Sequence, residues 1–314
     1  MIRQFLQRLR TSSKSTPSTV VAVVLQGERI KLLWLQRVPL QVLKVETVAI
    51  ADASAWPEQL TRLSSDIGSN VPVCIVLPPS HYQLYVVDKP AVSDSELASA
   101  LPWLVAEMND TPAADLVIDY FEQPDVANQR RKLQLVVAQK TVLQTLCKAL
   151  QRKHIQLANI QPDEWLIRNL VPSTGAPVLV LSQQPGQDVS VLILMQGVVY
   201  FSRKLRGYTR LDQYDVNDFA SGVLENLMLE IQRSMDYFEG QLRQPPIRDI
   251  YLLLTDHVQQ ALAGYLQQNG FGQVQPVNLT GIMAGFTPQE RDDYWLALAG
   301  AMEVLLEADH EATR

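Results

Sequence analysis

"VVAVVLQGERIKLLWL", residues 20–35, is the stretch whose reading decides the fold. Two apolar runs flank the polar turn Gln26-Gly27-Glu28-Arg29, so the segment folds back on itself as a β-hairpin. Such a hairpin can close over a phosphate if its turn offers bare backbone amides. This turn holds one glycine and sets an acid, Glu28, where those amides belong. The stretch is either a nucleotide site or what remains of one.

Outward from the hairpin, a third strand is expected near residues 43–52 and a helix over 56–65. The uninterrupted apolar run "VPVCIVLPP", residues 71–79, predicts a strand in a sheet covered on both faces. Residues 81–137 read as strand, helix, strand, strand. Ser93 and Glu96 open the helix as a capping box, and Pro102 is expected to kink or restart it. An amphipathic helix over 140–154, a short strand and a second helix over 163–171 lead to the linker-like "PSTGAP", residues 172–177.

Beyond that break the opening pattern returns. Residues 177–205 read as strand, turn, strand, tight Gln-Gly turn, strand. One long helix is expected over 214–242, with Val223, Leu227, Ile231, Met235 and Phe238 on one face and Pro245-Pro246 as its stop. A buried strand at "DIYLLL", a helix ended by Gly270, a strand at 274–279 and an alanine-rich helix complete the chain. Two α/β halves that each open with a three-stranded meander give the pattern of the actin and Hsp70-like, ribonuclease H-like architecture. The expected division is a basic tail at 1–19, a first lobe of 20–80 and 138–171, and an insert at 81–137. A second lobe at 178–305 and a tail at 306–314 follow.

Composition narrows the function. A chain of 314 residues is long for one core, and 47% hydrophobic with 19% charged residues is ordinary for a globular protein. A net charge of −6 argues against broad nucleic-acid binding. Cys74 and Cys147 lie in apolar stretches without CxxC spacing, so reduced thiols in a cytoplasm are expected. The longest apolar run, residues 189–201, is too short to span a bilayer, and with arginines among its apolar residues "MIRQFLQRLR" is not expected to be a cleavable signal. That segment, with Arg3, Arg8, Arg10 and Lys14 and no acid, reads as a basic contact to an anionic membrane surface or a partner, or as a solvated start.

Three further stretches carry a family resemblance. "KPAVSDSELASALPWLVAEMNDTPAADLVIDY", residues 89–120, resembles the inserted subdomain of the PilM superfamily. "VVAQKTVLQTLCKALQRKHIQLANIQPDEWLIRNL" is similar to the strand–helix–strand–helix that follows it there, and "ENLMLEIQRSMDYFEGQ", residues 225–241, to the long helix of the second half. The match covers about residues 18–305 and looks most like the MSHA-pilus branch. The resemblance implies a bilobed actin-like fold with a PilM/FtsA-type insert, in a cytoplasmic component of a type IV pilus platform peripheral to the inner membrane. It further implies that the N-terminal tail of a bitopic, PilN-like membrane protein docks between the first lobe and the insert, with a pilus motor ATPase as second partner. An extended tail can add as a strand or fill an apolar cleft.

Nucleotide-binding members carry an Asp-x-Gly in each phosphate hairpin. Laid over these, this chain offers Val24 and Gln26 in the first, and Gln183 and Pro185 in the second. Valine neither holds a hydrated metal nor pairs with phosphate, and proline removes an amide donor. A phosphate oxygen buried without a partner costs on the order of several kcal/mol. Leu254 and Thr255 replace the glycine pair that faces adenosine. Loss of all three elements predicts no ATPase activity, no cofactor and a docking role. The alternatives are a nucleotide-binding switch of the same machinery or a GspL-like secretion component, against which the lack of a spanning segment near the C-terminus speaks.

Trp103, with Tyr82 and Tyr85 on the strand before its helix, lines the tail groove or forms the core of the insert. Glu230, Arg233, Asp236 and Glu239 form a charged face, either solvated or a partner contact. Because the resemblance centres on Arg233, a buried pair between the halves is expected there. Arg130-Arg131-Lys132 marks a basic hairpin tip. His81, His154, His257 and His310 show no metal-ligand spacing.

Overall fold

The structure is a computed structural model and describes residues 17–68, 70–125, 130–214 and 222–312. The N-terminal Arg3, Arg8 and Arg10 lie outside the described residues. The chain divides into two compact units. The first holds the described residues within Met1–Gln123, Arg130–Leu166 and Leu296–Arg314.

In the first unit the chain runs β1 (Thr19–Leu25), β2 (Arg29–Gln36), β3 (Gln41–Ala49), α1 (Trp56–Ile67), β4 (Val73–Leu77), β5 (Tyr82–Asp88), α2 (Asp94–Ala106), β6 (Leu116–Glu122), β7 (Lys132–Gln139), α3 (Lys140–Gln151) and β8 (Leu157–Pro162). The main sheet has the order β3-β2-β1-β4-β8. The first three strands form the expected antiparallel meander, and β4 and β8 run parallel to β1. Residues Val20–Leu25 are buried on both sides of the strand, which explains their apolar character without alternation.

Residues 82–139 build a separate three-stranded antiparallel sheet, order β5-β7-β6. Helix α2 lays Leu97, Leu101 and Val105 on it, at i, i+4 and i+8, against Leu116, Ile118, Leu133, Leu135 and Val137. That spacing holds the helix on both sides of Pro102, so the proline sits inside one continuous helix and does not restart it. The capping box forms: the Glu96 carboxylate accepts from the Ser93 amide at 3.2 Å and from its hydroxyl at 2.7 Å.

The second unit holds the described residues within Pro124–Gln129 and Ile167–Trp295. It contains β9 (Val178–Ser182), β10 (Val189–Met195), β11 (Val198–Leu205), α4 (Val223–Asp236), β12 (Asp249–Leu253), α5 (Asp256–Gln268) and β13 (Gln273–Pro276). Its sheet order, β11-β10-β9-β12-β13, repeats that of the first: an antiparallel meander followed by two parallel strands. The β10–β11 turn needs two left-handed residues, supplied by Gln196 (φ 55°) and Gly197 (φ 75°).

Two expectations change. The long helix is α-helical only from Val223 to Asp236 and continues as a π-helix over Tyr237–Gln241. Tyr214 is non-helical, and 215–221 lie outside the described residues. The last helix, α6 (Pro288–Ala312), does not belong wholly to the second half, because from Leu296 onward its residues pack in the first unit. A Cβ placed on Gly300 would meet Val76 Cγ2 at 2.9 Å, Ala22 Cβ at 3.4 Å and Cys74 Sγ at 3.5 Å. Small residues there let the helix lie directly on β1 and β4.

Candidate functional site

The first unit carries a groove centred on His81. Pro78 and Pro79 follow β4, lack amide donors to extend it, and lead into a single 3-10 turn, Pro79–His81, that re-aims the chain into β5. His81 is half-buried: its ring tilts against Trp56 with centroids 4.5 Å apart, and the Ser80 hydroxyl lies 2.9 Å from Nδ1. Burial pulls its pKa below the ordinary histidine value.

His81 and Val142, in the first turn of α3, together wall two adjoining cavities. The larger, about 320 Å³, is lined mainly by carbon: Trp56, Pro57, Thr145 and Leu146 join the shared pair. The smaller, about 250 Å³, is lined by Tyr82, Gln83, Asn109, Thr111 and Gln139. The pair reads as one groove with an apolar end and an amide-rich end. Gln139 caps α3 without a side-chain hydrogen bond, so first-turn amides of α3 stand beside the groove.

Tyr82 lines the smaller cavity, and its hydroxyl donates to the Asp163 carboxylate. Burial first, then Asp163 and Glu164, push its phenol well above the ordinary value, so it remains a donor. Tyr85 stands behind the wall. Its hydroxyl donates to Gln83 Oε1 at 2.6 Å, and Asn109 Nδ2 donates to the same oxygen at 2.6 Å. Trp103 corrects the expectation: it lines neither cavity and is 78% exposed, because the buried face of α2 is the Leu97–Leu101–Val105 stripe. His81, Trp56 and Val142 were missed. The signals that point to them are the Pro-Pro-Ser-His break before β5 and the Trp-Pro start of α1.

The positions laid over the phosphate hairpins and the adenosine-facing pair are placed as follows. Val24 is buried in β1, in register with Lys31 of β2 and Val76 of β4. The Gln26 amide donates to Arg29 O at 3.0 Å, and Gln26 O accepts from Trp56 Nε1 at 2.9 Å. The turn's Gln26 amide and carbonyl are thus both engaged within the unit. In the other hairpin the Gln183 amide donates to Leu253 O at 3.1 Å, while its side chain donates to Gln187 O and Tyr208 O, each at 2.7 Å. Pro185 is exposed in the turn. Leu254 is buried in the core of the second unit, and Thr255 is the N-cap residue of α5.

At that helix start a third cavity, about 190 Å³, is lined by Leu254, Asp256, Asn278, Arg291 and Asp292. The Asp292 carboxylate accepts from the Asp256 amide at 3.1 Å, so the chain's own anion takes the N-terminus of α5. Burial, offset in part by that hydrogen bond, raises Asp292 to about 6.

Arg233 also corrects the expectation. Its side chain is 68% exposed and pairs within its helix, Nη1 to Glu230 Oε1 at 2.5 Å. The more enclosed partner of Glu230 is Arg203 on β11, at 2.9 Å, which also donates to Glu230 O at 2.5 Å and to Ser234 Oγ at 3.1 Å. Among the described residues no group of three or more His, Cys, Asp or Glu is placed to hold a metal, and no helix is long and apolar enough to cross a membrane.

No family model and no curated protein matches the sequence. Solved structures do match. A chain of the PilM–PilN type IV pilus biogenesis complex aligns with a TM-score of 0.65 at 15% identity, covering 94% of this chain and 99% of that one. The cytoplasmic domain of EpsL, an inner membrane component of the type II secretion system of Vibrio cholerae, aligns with a TM-score of 0.51 at 16% identity, covering 90% and 95%. At such identities the likeness establishes the fold, which is actin-like.

Proposed function

We propose that this chain is a non-catalytic adaptor of a type IV pilus assembly platform, PilM-like and of the MSHA type represented by MshI. In this reading the groove at His81 holds the N-terminal tail of a PilN-like inner-membrane protein, and the adaptor links it to the pilus motor ATPase from the cytoplasmic side of the membrane. The groove carries the reading. An extended tail can place an aliphatic side chain in the cavity walled by Trp56, Val142 and Leu146. It can direct its backbone carbonyls to the first-turn amides of α3 and its amides to the Gln139 side chain. The likeness to a chain of a PilM–PilN complex supports it.

The pseudo-ATPase part rests on side chains. Val24 and Pro185 supply neither a metal-holding acid nor a phosphate donor, and Gln26 and Gln183 are engaged internally. The Asp292 carboxylate at the α5 N-terminus disfavours a second anion there. Thermal denaturation with and without Mg-ATP tests this part. Real binding would stabilise the protein by about 2.7 kcal/mol at one hundred times Kd; no shift is expected. Calorimetric titration with a synthetic PilN-like tail peptide tests the docking part, and failure of that peptide to bind would remove the adaptor reading.

A further inference from the structure

Helix α2 carries a feature that the groove leaves unused. From residue 94 to 110 the chain contains Asp94, Glu96, Glu107 and Asp110 and no lysine or arginine. In the middle stands Trp103, 78% exposed, whereas Trp34, Trp56, Trp165 and Trp295 are all buried. An indole left in water forgoes one of the largest burial gains available to any side chain and offers an open ring face on which a cation can stack.

Helical spacing puts Glu96, Ser99 and Glu107 on the Trp103 face, at i−7, i−4 and i+4, all exposed and opposite the buried leucines. Asp94 is engaged by Lys89 at 3.0 Å and Glu96 by Ser93. The Glu107 side chain makes no hydrogen bond or ion pair among the described residues.

We propose that this face docks an arginine-bearing basic segment of a partner protein, with the guanidinium lying over the Trp103 indole and forking to the Glu107 carboxylate. The chemistry selects arginine. A planar, weakly hydrated guanidinium stacks on an indole and pairs with a carboxylate in two parallel hydrogen bonds, whereas an ammonium is a compact, strongly hydrated charge. The same acids repel anionic lipid headgroups and nucleic acid. Neither Trp103 nor Glu107 lines the two cavities of the tail groove.

The test uses the full chain and a short synthetic peptide alternating arginine and leucine, with a lysine counterpart. Because Trp103 is the one exposed tryptophan of five, acrylamide quenching of fluorescence reports on it directly. The arginine peptide is expected to shield the indole. Trp103→Ala is expected to weaken binding about tenfold, equivalent to about 1.4 kcal/mol, and Glu107→Gln or the lysine peptide about threefold. Unchanged melting of the variants confirms intact folding. No shielding, or equal binding of both peptides by wild type and Trp103→Ala, overturns the proposal and leaves only diffuse attraction to a chain of net charge −6. Shielding already present in the free protein and lost on deleting residues 1–16 assigns the face to the chain's own basic start and overturns the partner reading.

Discussion

The groove can be closed without unfolding the protein, and Thr145→Phe is the substitution that does so. Thr145 is exposed on α3, yet it lines the 320 Å³ cavity beside Trp56 and Leu146. Its hydroxyl donates to Thr141 O at 2.7 Å, a bond within the helix that contributes little to the fold. A surface position of this kind tolerates substitution within about 0.5 kcal/mol. The benzyl group projects into the space that an aliphatic side chain of the tail would fill. Burying such a side chain contributes about 1.5–3 kcal/mol, so its exclusion should raise Kd by roughly 10- to 150-fold. Thr145→Ala, which widens the cavity, should shift Kd by no more than about threefold. Fluorescence anisotropy with a labelled PilN-like tail peptide, alongside thermal melts, measures both effects. A Phe variant that melts normally and binds the tail as wild type does would show that the cavity is not the seat of an anchoring side chain.

Other consequences follow from the charged groups and thiols. Arg203→Ala should cost about 1–2 kcal/mol in urea unfolding and Arg233→Ala less than about 0.5 kcal/mol, since Arg203 makes three partly buried contacts and Arg233 one exposed pair; the reverse order would refute the placement. Asp292 has a folded pKa of about 6, above its ordinary 3.8, so the folded state holds that proton more tightly. Its contribution is full below about pH 4 and is lost as pH rises through 6. Asp292→Asn should flatten that slope and, discounting for its partial exposure, stabilise the protein at pH 7–8 by about 1 kcal/mol. Equal slopes in the two proteins would sink the assignment. Burial raises the thiol of Cys74 well above its ordinary value and that of Cys147 to about 11, so neither should react with a thiol reagent at pH 8 until the protein unfolds.

Local pattern carried much of the architecture. The two apolar runs around Gln26–Arg29, and their echo after residue 177, encode both meanders, because strand burial and turn chemistry are properties of neighbouring residues. The same holds for the capping box at Ser93. Periodicity, however, tells which face of an element is buried, never what lies against it. The helical spacing of Leu296–Leu305 is compatible with either unit, and only the tertiary fold, in which a Cβ added to Gly300 would meet Val76 Cγ2 at 2.9 Å, places it on the first sheet. Glu230 reads as a partner for Arg233 one turn away, yet its more buried contact comes from Arg203 on a strand. Trp103 carries the hydrophobicity of a core residue but falls on the helix face opposite the buried stripe. The groove is the extreme case, since Trp56, His81 and Val142 come from three separate elements. What the sequence by itself determined is therefore everything set by near neighbours along the chain, while contacts between distant segments, on which the candidate site depends, exist only once the sheets and helices have packed.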